Sequence, residues 1–182
     1  MIGYLSVIQK YIKPDSSLYR NYIIHVTLVT NKALEIARGI ELGSEQLQFI
    51  EEASMLHDIG ICMVDAPEIG AKVSEPYIRH IVEGKLILEK ENLPKHAVVA
   101  LTHIGVGITK KEIISRELPL PKKDIYPETL EEKIISYADL FFSKEPRKYW
   151  IEKTKAQVKQ ELSRYGEQHI EIFNDWDREL SA

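Results

Sequence analysis

Apolar residues recur every three to four positions along nearly the whole chain, and the strict alternation of a half-buried strand is hard to find. The spacing predicts an all-α fold. A short first helix covers about Ile2 to Ile12 and stops at Pro14, after which Asp15, Ser16 and Ser17 offer caps for a long second helix ending near Gly39. Its stripe of Tyr22, Val26, Val29, Ala33, Ile36, Ala37 and Ile40 faces a core, with His25 on the edge of the same face. A third helix runs from a Ser44 cap through Leu47, Ile50, Ala53 and Ser54 to the pair His57-Asp58, and Gly60 is expected to take the left-handed conformation that ends many helices.

Residues 61–76, with Asp65, Pro67, Gly70 and Pro76, read as an irregular connection longer than an ordinary helix–helix turn. A fourth helix from about Pro76 to Glu91 carries His80 and Gly84; Asn92 and Pro94 break it and open a fifth that ends at His103, before Gly105 and Gly107. Capping boxes at Thr109–Glu112 and Thr129–Glu132 open a short helix and then the helix bearing Ile134, Ala138, Asp139 and Phe141. Between them, residues 118–124 form an extended, proline-bracketed loop containing Lys122 and Lys123. Two amphipathic helices follow residue 146, one with Ile151, Lys155, Val158 and Leu162, the other with Ile170, Phe173, Trp176 and Leu180. No repeat or linker divides the chain, so a single domain over residues 1–182 is expected, with helices in 147–181 packing on the rest.

Composition narrows the function classes. The 44% hydrophobic and 29% charged residues over 182 positions are globular proportions, with enough apolar material for a core that needs no disulfide. Lys and Arg total 24 against 28 Asp and Glu, and a net charge of -4 does not draw in a polyanion, so duplex nucleic acid is not expected as a partner. Cys62 is the only cysteine, which excludes an intrachain disulfide and a thiolate metal cluster and fits a reducing, cytoplasmic setting. The start MIGYLSVIQKYIKPD has no basic region before an apolar run, and no stretch reaches the roughly 18 apolar residues of a spanning helix, so no membrane is expected.

The chemistry-bearing residues are His25, His57, Asp58, His80, His103 and Asp139, drawn from five expected helices. Imidazole and carboxylate are ligands for borderline-to-hard divalent metals, and a helical bundle can aim them from facing helices at one interior point. Any one of these histidines taken singly is a hydrogen-bonded core side chain. Asp58 and Asp139 change the balance, because a carboxylate at an inner helical position is rarely buried without a partner or a metal. His96 and His169 are assigned to solvent or packing, and Cys62 receives no role.

These residues resemble the signature of a known family. His57-Asp58-Ile59-Gly60 is the HDIG form of the motif of HD-domain metal-dependent phosphohydrolases, and the order His25, His57-Asp58, His80, His103, Asp139 is similar to that family's H…HD…H…H…D pattern over about residues 18–145. The resemblance implies an all-α, compact bundle of the HD-domain type with about seven to nine helices. It implies His25, His57, Asp58 and Asp139 on one metal and Asp58, His80 and His103 on a second, with His57 and Asp58 central to catalysis. One or two divalent ions are thus implied, with Mn, Fe, Co, Ni, Zn and Mg all open. The implied activity is hydrolysis of a small phosphorylated substrate, a nucleotide among the candidates, by metal-activated water. Arg79, Lys85, Lys110 and Lys111 are the expected substrate-binding cations, each of which alone also fits a solvated surface.

The chain lacks the tandem histidines and Gly-Tyr-Pro motif of cyclic-dinucleotide phosphodiesterases and is too short for the appended domains of large alarmone enzymes, which lowers the weight of both. Two readings of other classes stay open. The same ligand types suit a di-iron oxygenase, and a non-catalytic nucleotide sensor would keep the pocket without turnover. Oligomeric state is not legible from periodicity.

Overall fold

The inward stripe of the second helix organises the molecule. The computed structural model describes residues 2–181, and among these nine α-helices account for most of the chain. They are α1 (Tyr4–Tyr11), α2 (Ser17–Gly39), α3 (Ser44–Leu56), α4 (His80–Lys90), α5 (Pro94–Thr102), α6 (Lys110–Ser115), α7 (Leu130–Asp139), α8 (Lys155–Leu162) and α9 (Glu167–Leu180). Helix α2 begins where Ser16 accepts a hydrogen bond from Tyr19 N, and its residues Tyr22, His25, Val26, Val29, Ala33 and Ala37 are all buried. It packs along α3 and α7, while α4 pairs with α5 and with a 3-10 turn at Ile59–Met63. Strand structure among the described residues is confined to β1 (Asp65–Ala66) and β2 (Ala71–Lys72), paired antiparallel inside the long connection.

Three apolar clusters fill the interior. One joins Val29, Ala33 and Ile50 to Ile134, Phe141, Phe173 and Trp176, so α9 lies against the same core as α2 and α7. A second gathers Ile8, Ile12, Tyr22, Val26, Leu56 and Ile59. The third, smaller one holds Ile81, Leu101, Ile108 and Ile125. The caps at Thr109 and Thr129 form as the sequence predicts, each hydroxyl accepting from the backbone N–H three residues on.

Two local expectations are corrected. Ile151 is 63% exposed and lies outside any helix, because Thr154 with Gln157 forms the capping box that starts α8 at Lys155. Gly60 is not left-handed; it sits within the 3-10 turn that follows Asp58. What requires glycine there is space, since a Cβ at Gly60 would stand 2.1 Å from the His80 carbonyl oxygen and 2.2 Å from Gly84 N. The absent side chain lets this turn lie directly on the first turns of α4, which carries His80 to Asp58.

Gly60→Ala is therefore expected to destabilise the fold by about 3 kcal/mol or more, because the clash is with rigid backbone on both sides. Gly39→Ala, at a helix position with nothing within 4 Å, is expected to stabilise it by about 0.5 kcal/mol. Chemical denaturation of both variants checks the contrast, and equal midpoints would refute it.

Candidate metal centre

Five helices and the turn after α3 deliver the six candidate ligands to one place. His25 projects from the middle of α2, held in register where Tyr22 Oη donates to the Met55 carbonyl at 2.8 Å. His57 caps α3 with helical dihedrals, whereas Asp58, at φ -104° and ψ 11°, begins the 3-10 turn, and that change of geometry lets the adjacent pair converge. His80 opens α4, His103 caps α5 and Asp139 ends α7. The helix-end placements repeat one local device: Nδ1 of His57 lies 2.6 Å from the Ser54 carbonyl, that of His80 2.7 Å from Tyr77 and that of His103 2.9 Å from Ala100, always three residues back. Each carbonyl accepts a hydrogen bond from Nδ1–H, which in the neutral ring leaves Nε2 as a lone pair directed elsewhere.

Those Nε2 atoms meet at the carboxylates. His80 and His103 Nε2 are both 3.5 Å from Asp58 Oδ1 and 3.3 Å from each other. On the other side, His25 Nε2 is 2.9 Å from Asp139 Oδ1 and 3.8 Å from Asp58 Oδ2, and His57 Nε2 is 3.6 Å from Asp139 Oδ1. Three triads have ligand atoms all within 4.8 Å of one another: His25, His57 and Asp58; His57, His103 and Asp139; and Asp58, His80 and His103. Asp58 thus turns one oxygen toward each half of the cluster. His57 Nε2, both nitrogens of His25, Asp58 Oδ1 and Asp139 Oδ1 are buried with no hydrogen-bond partner. Lone pairs facing lone pairs in a dry interior are costly unless a cation sits among them, and this donor set suits a divalent metal.

The electrostatics agree with that donor chemistry. Burial pushes the Asp58 carboxyl up, but Lys144, contact with His103 and the charges of His80 and His57 outweigh it and hold the group well below the usual carboxylate range. Asp139 behaves the same way, with burial overcome by Lys144, His25 and His57. Burial pushes His80 down to about 3 and also lowers His25 and His103. For His57 burial is overcome by the Asp139 contact, which leaves it above the ordinary histidine value. Carboxylates kept charged and most of the imidazoles kept neutral are the protonation states that metal binding needs. Cys62 is different: burial pushes its thiol up to about 11, so it offers no thiolate.

A cavity of about 300 Å³ opens beside the cluster, with His80, His103, Asp139 and Lys144 in its wall. The cations expected to face substrate lie elsewhere. Arg79 pairs with Glu75 and Glu83 and donates to the Pro119 carbonyl, and Lys85 pairs with Glu89 along α4. Lys110 and Lys111 border a separate depression with Ile114 and Asp124, and Lys122 and Lys123 are exposed on their loop. None of these six lines the cavity; the cations that do are Lys144 and Arg116.

Lys144 Nζ is 3.2 Å from Asp58 Oδ2 and 3.9 Å from Asp139 Oδ2, with opposed charges holding its ammonium well above the usual lysine range against burial. Sequence reasoning passed over it because it lies in an irregular segment between the helix of Asp139 and the two that follow; its place five residues after Asp139 was the available signal. His96 joins Glu52 at 3.5 Å and packs edge-on against Phe49, a packing role as expected. His169, expected to do the same, instead lines the cavity.

A family model described as HD domain matches residues 22–142. The chain is 37% identical over 121 residues to an uncharacterised protein of Methanocaldococcus jannaschii, MJ0778, a match covering 65% of this chain and 64% of that protein. It is 34% identical over 118 residues to a tRNA (cytidine(56)-2'-O)-methyltransferase of Picrophilus torridus and 31% identical over 147 residues to that of Thermoplasma volcanium. These matches take in 64% and 80% of this chain but 30% and 37% of the methyltransferases, so the chain spans between about a third and two thirds of the curated relatives it matches. Among solved structures, the HD domain of the L. monocytogenes phosphodiesterase PgpH superposes with a TM-score of 0.54 in its complex with cyclic-di-AMP and 0.56 without. Identity to these is 19% and 18%, with 96% and 97% of this chain and 93% and 95% of theirs covered, a likeness of fold. Since the matched segment takes in His25, the His57-Asp58 pair, His80, His103 and Asp139 together, the chain belongs to the HD-domain family.

Proposed function

We propose that this chain is a metal-dependent phosphohydrolase acting on a small phosphorylated molecule, with a nucleotide as the leading class. The observation that carries the reading is the convergence of six ligand groups, several of them buried without a hydrogen-bond partner, beside a small cavity that His80, His103, Asp139 and the partly buried cation Lys144 line. His25, His57, Asp58 and Asp139 would hold one divalent ion, and Asp58, His80 and His103 a second. A metal bound there supplies hydroxide at neutral pH and offsets charge on phosphate oxygens.

The chain's own groups then have distinct tasks. Asp58 and Asp139 stay ionised, the carbonyls of Ser54, Tyr77 and Ala100 hold three imidazoles in the ligand tautomer, and Lys144 is placed to contact a phosphate oxygen in the cavity. The apolar residues around the cavity limit water other than the nucleophile. Two relatives' names mention tRNA methylation, but most of each of those proteins lies outside the matched segment. The cyclic-di-AMP bound by the PgpH domain supports a nucleotide as the substrate class.

Protein equilibrated with Mn²⁺ or Fe²⁺ and then desalted should retain about one to two ions per chain, measured by atomic emission. Asp58→Asn and His57→Ala should lose both the ions and phosphate release across a panel of phosphomonoesters while keeping the helical circular dichroism; full activity in metal-free Asp58→Asn protein would refute the reading. Metal retention should fall as pH drops through the histidine range, about pH 7 to 5, because protons compete for the Nε2 lone pairs and His57, raised above the ordinary value, protonates first. Lys144→Met should keep the metal but lower phosphate release about tenfold to a hundredfold, checked by parallel metal analysis and a phosphate assay.

A further inference from the structure

The cavity beside the metal ligands carries a second cation in its wall. Arg116, which caps the end of α6, lines it together with Tyr165 of the 3-10 turn Ser163–Tyr165. The guanidinium carbon stands 5.2 Å from the centroid of the Tyr165 ring, a cation–π contact with a turn that lies beyond the segment matching the family. Arg116 is exposed and the Tyr165 ring is 50% exposed, so the pair sits where the cavity meets solvent.

Arg116 differs from the neighbouring cations in having no opposite charge. Arg79 and Lys85 each pair with a glutamate one helical turn on. Arg116 has Glu112 one turn before it, but that carboxylate is already engaged. Its Oε2 accepts from Thr109 N at 2.8 Å and from Thr109 Oγ1 at 2.6 Å in the capping box of α6, and its Oε1 lies 3.2 Å from His169 Nε2. Among the described residues the Arg116 guanidinium makes no ion pair and no hydrogen bond. An aromatic ring places a guanidinium without using its N–H groups, and their fork matches two oxygens of a phosphate or a carboxylate.

The cavity therefore presents cationic groups at two places. His80, His103, Asp139 and Lys144 mark the part of the wall next to the metal centre, Arg116 marks another, and Ile104, Val106, Ile108 and Leu118 make further wall aliphatic. A volume of about 300 Å³ is at the lower bound for small-molecule sites, which suits a compact molecule with one anionic group for each place. We propose that Arg116, braced by Tyr165, binds a second anionic group of the substrate, a phosphate or a carboxylate that is held and not cleaved. The inference rests on the phosphohydrolase reading above and narrows its substrates to compact phosphate esters that carry a further anionic group. Arg116 is a specificity residue here, not a catalytic one.

The test uses Mn²⁺-loaded protein and two matched pairs, glycerol 3-phosphate with 3-phosphoglycerate and AMP with adenosine 3',5'-bisphosphate. The second member of each adds a carboxylate or a phosphate. Wild type should favour the second member of at least one pair by about tenfold to a hundredfold in kcat/KM, the size of a hydrogen bond between charged groups. The pair that shows the preference tells carboxylate from phosphate. Arg116→Met should abolish the preference through KM, with metal content and helical circular dichroism as in wild type. Arg116→Lys keeps the charge without the fork and should retain part of it. Tyr165→Leu, which removes the ring, should weaken the preference, whereas Tyr165→Phe should not. A wild type indifferent within both pairs overturns the proposal. So does an Arg116→Met protein that keeps the preference, or one in which both members of a pair fall equally, which would mean that Arg116 only shapes the cavity. Calorimetric binding of the same four compounds to wild type and Arg116→Met reads the preference without turnover. Absence of phosphate release from every compound would thus count against the hydrolase reading, while the binding data still decide the role of Arg116.

Discussion

A carboxylate with 1% of its surface exposed, Asp58, is the group that the surrounding structure has to satisfy. Left alone in an apolar interior it would be neutral, and its ionised form would be among the most costly groups to bury. Here it stays charged because Lys144, His103, His80 and His57 outweigh the cost of burial, and His25 Nε2 stands 3.8 Å from its Oδ2, so groups from several parts of the chain must meet around it. Helix α2 must therefore pack against the end of α3, α4 must approach the turn after Asp58, and α5 must end where it does. The close backbone contact at Gly60 serves this arrangement: without it the first turn of α4 would stand off by the width of a methyl group, and His80 with it.

Most of this arrangement was readable from the chain. The long stripe of α2 and the caps at Ser16, Thr109 and Thr129 are local features, and local physics placed them correctly. The convergence of the six groups was legible because carboxylates and imidazoles on inward faces call for a reason, and six at helix middles and ends share one. Gly60 was read with the wrong reason, since a left-handed cap and a close backbone approach both ask for glycine and only tertiary contact separates them.

Polar groups that line the cavity escaped for a related cause. Arg79 and Lys85 sit beside or near His80 in sequence, yet each is one helical turn from a glutamate and closes a local ion pair. Lys144 and His169 reach the cavity through an irregular segment and a late helix whose packing no periodicity reveals. Nearness in sequence is a weak guide to a charge's destination when a closer opposite charge is available.

The carbonyl three residues before His57, His80 and His103 has one more implication. A main-chain oxygen is common to all twenty amino acids, so the hydrogen bond that aims each of these three rings does not depend on the side chains at positions 54, 77 and 100, although the Tyr77 ring also packs against His80. Serine, tyrosine and alanine occupy them here, three side chains of very different size. Orientation encoded in the peptide path rather than in neighbouring chemistry gives such a centre unusual latitude for drift: its surroundings can be rewritten while the direction of each nitrogen is inherited unchanged.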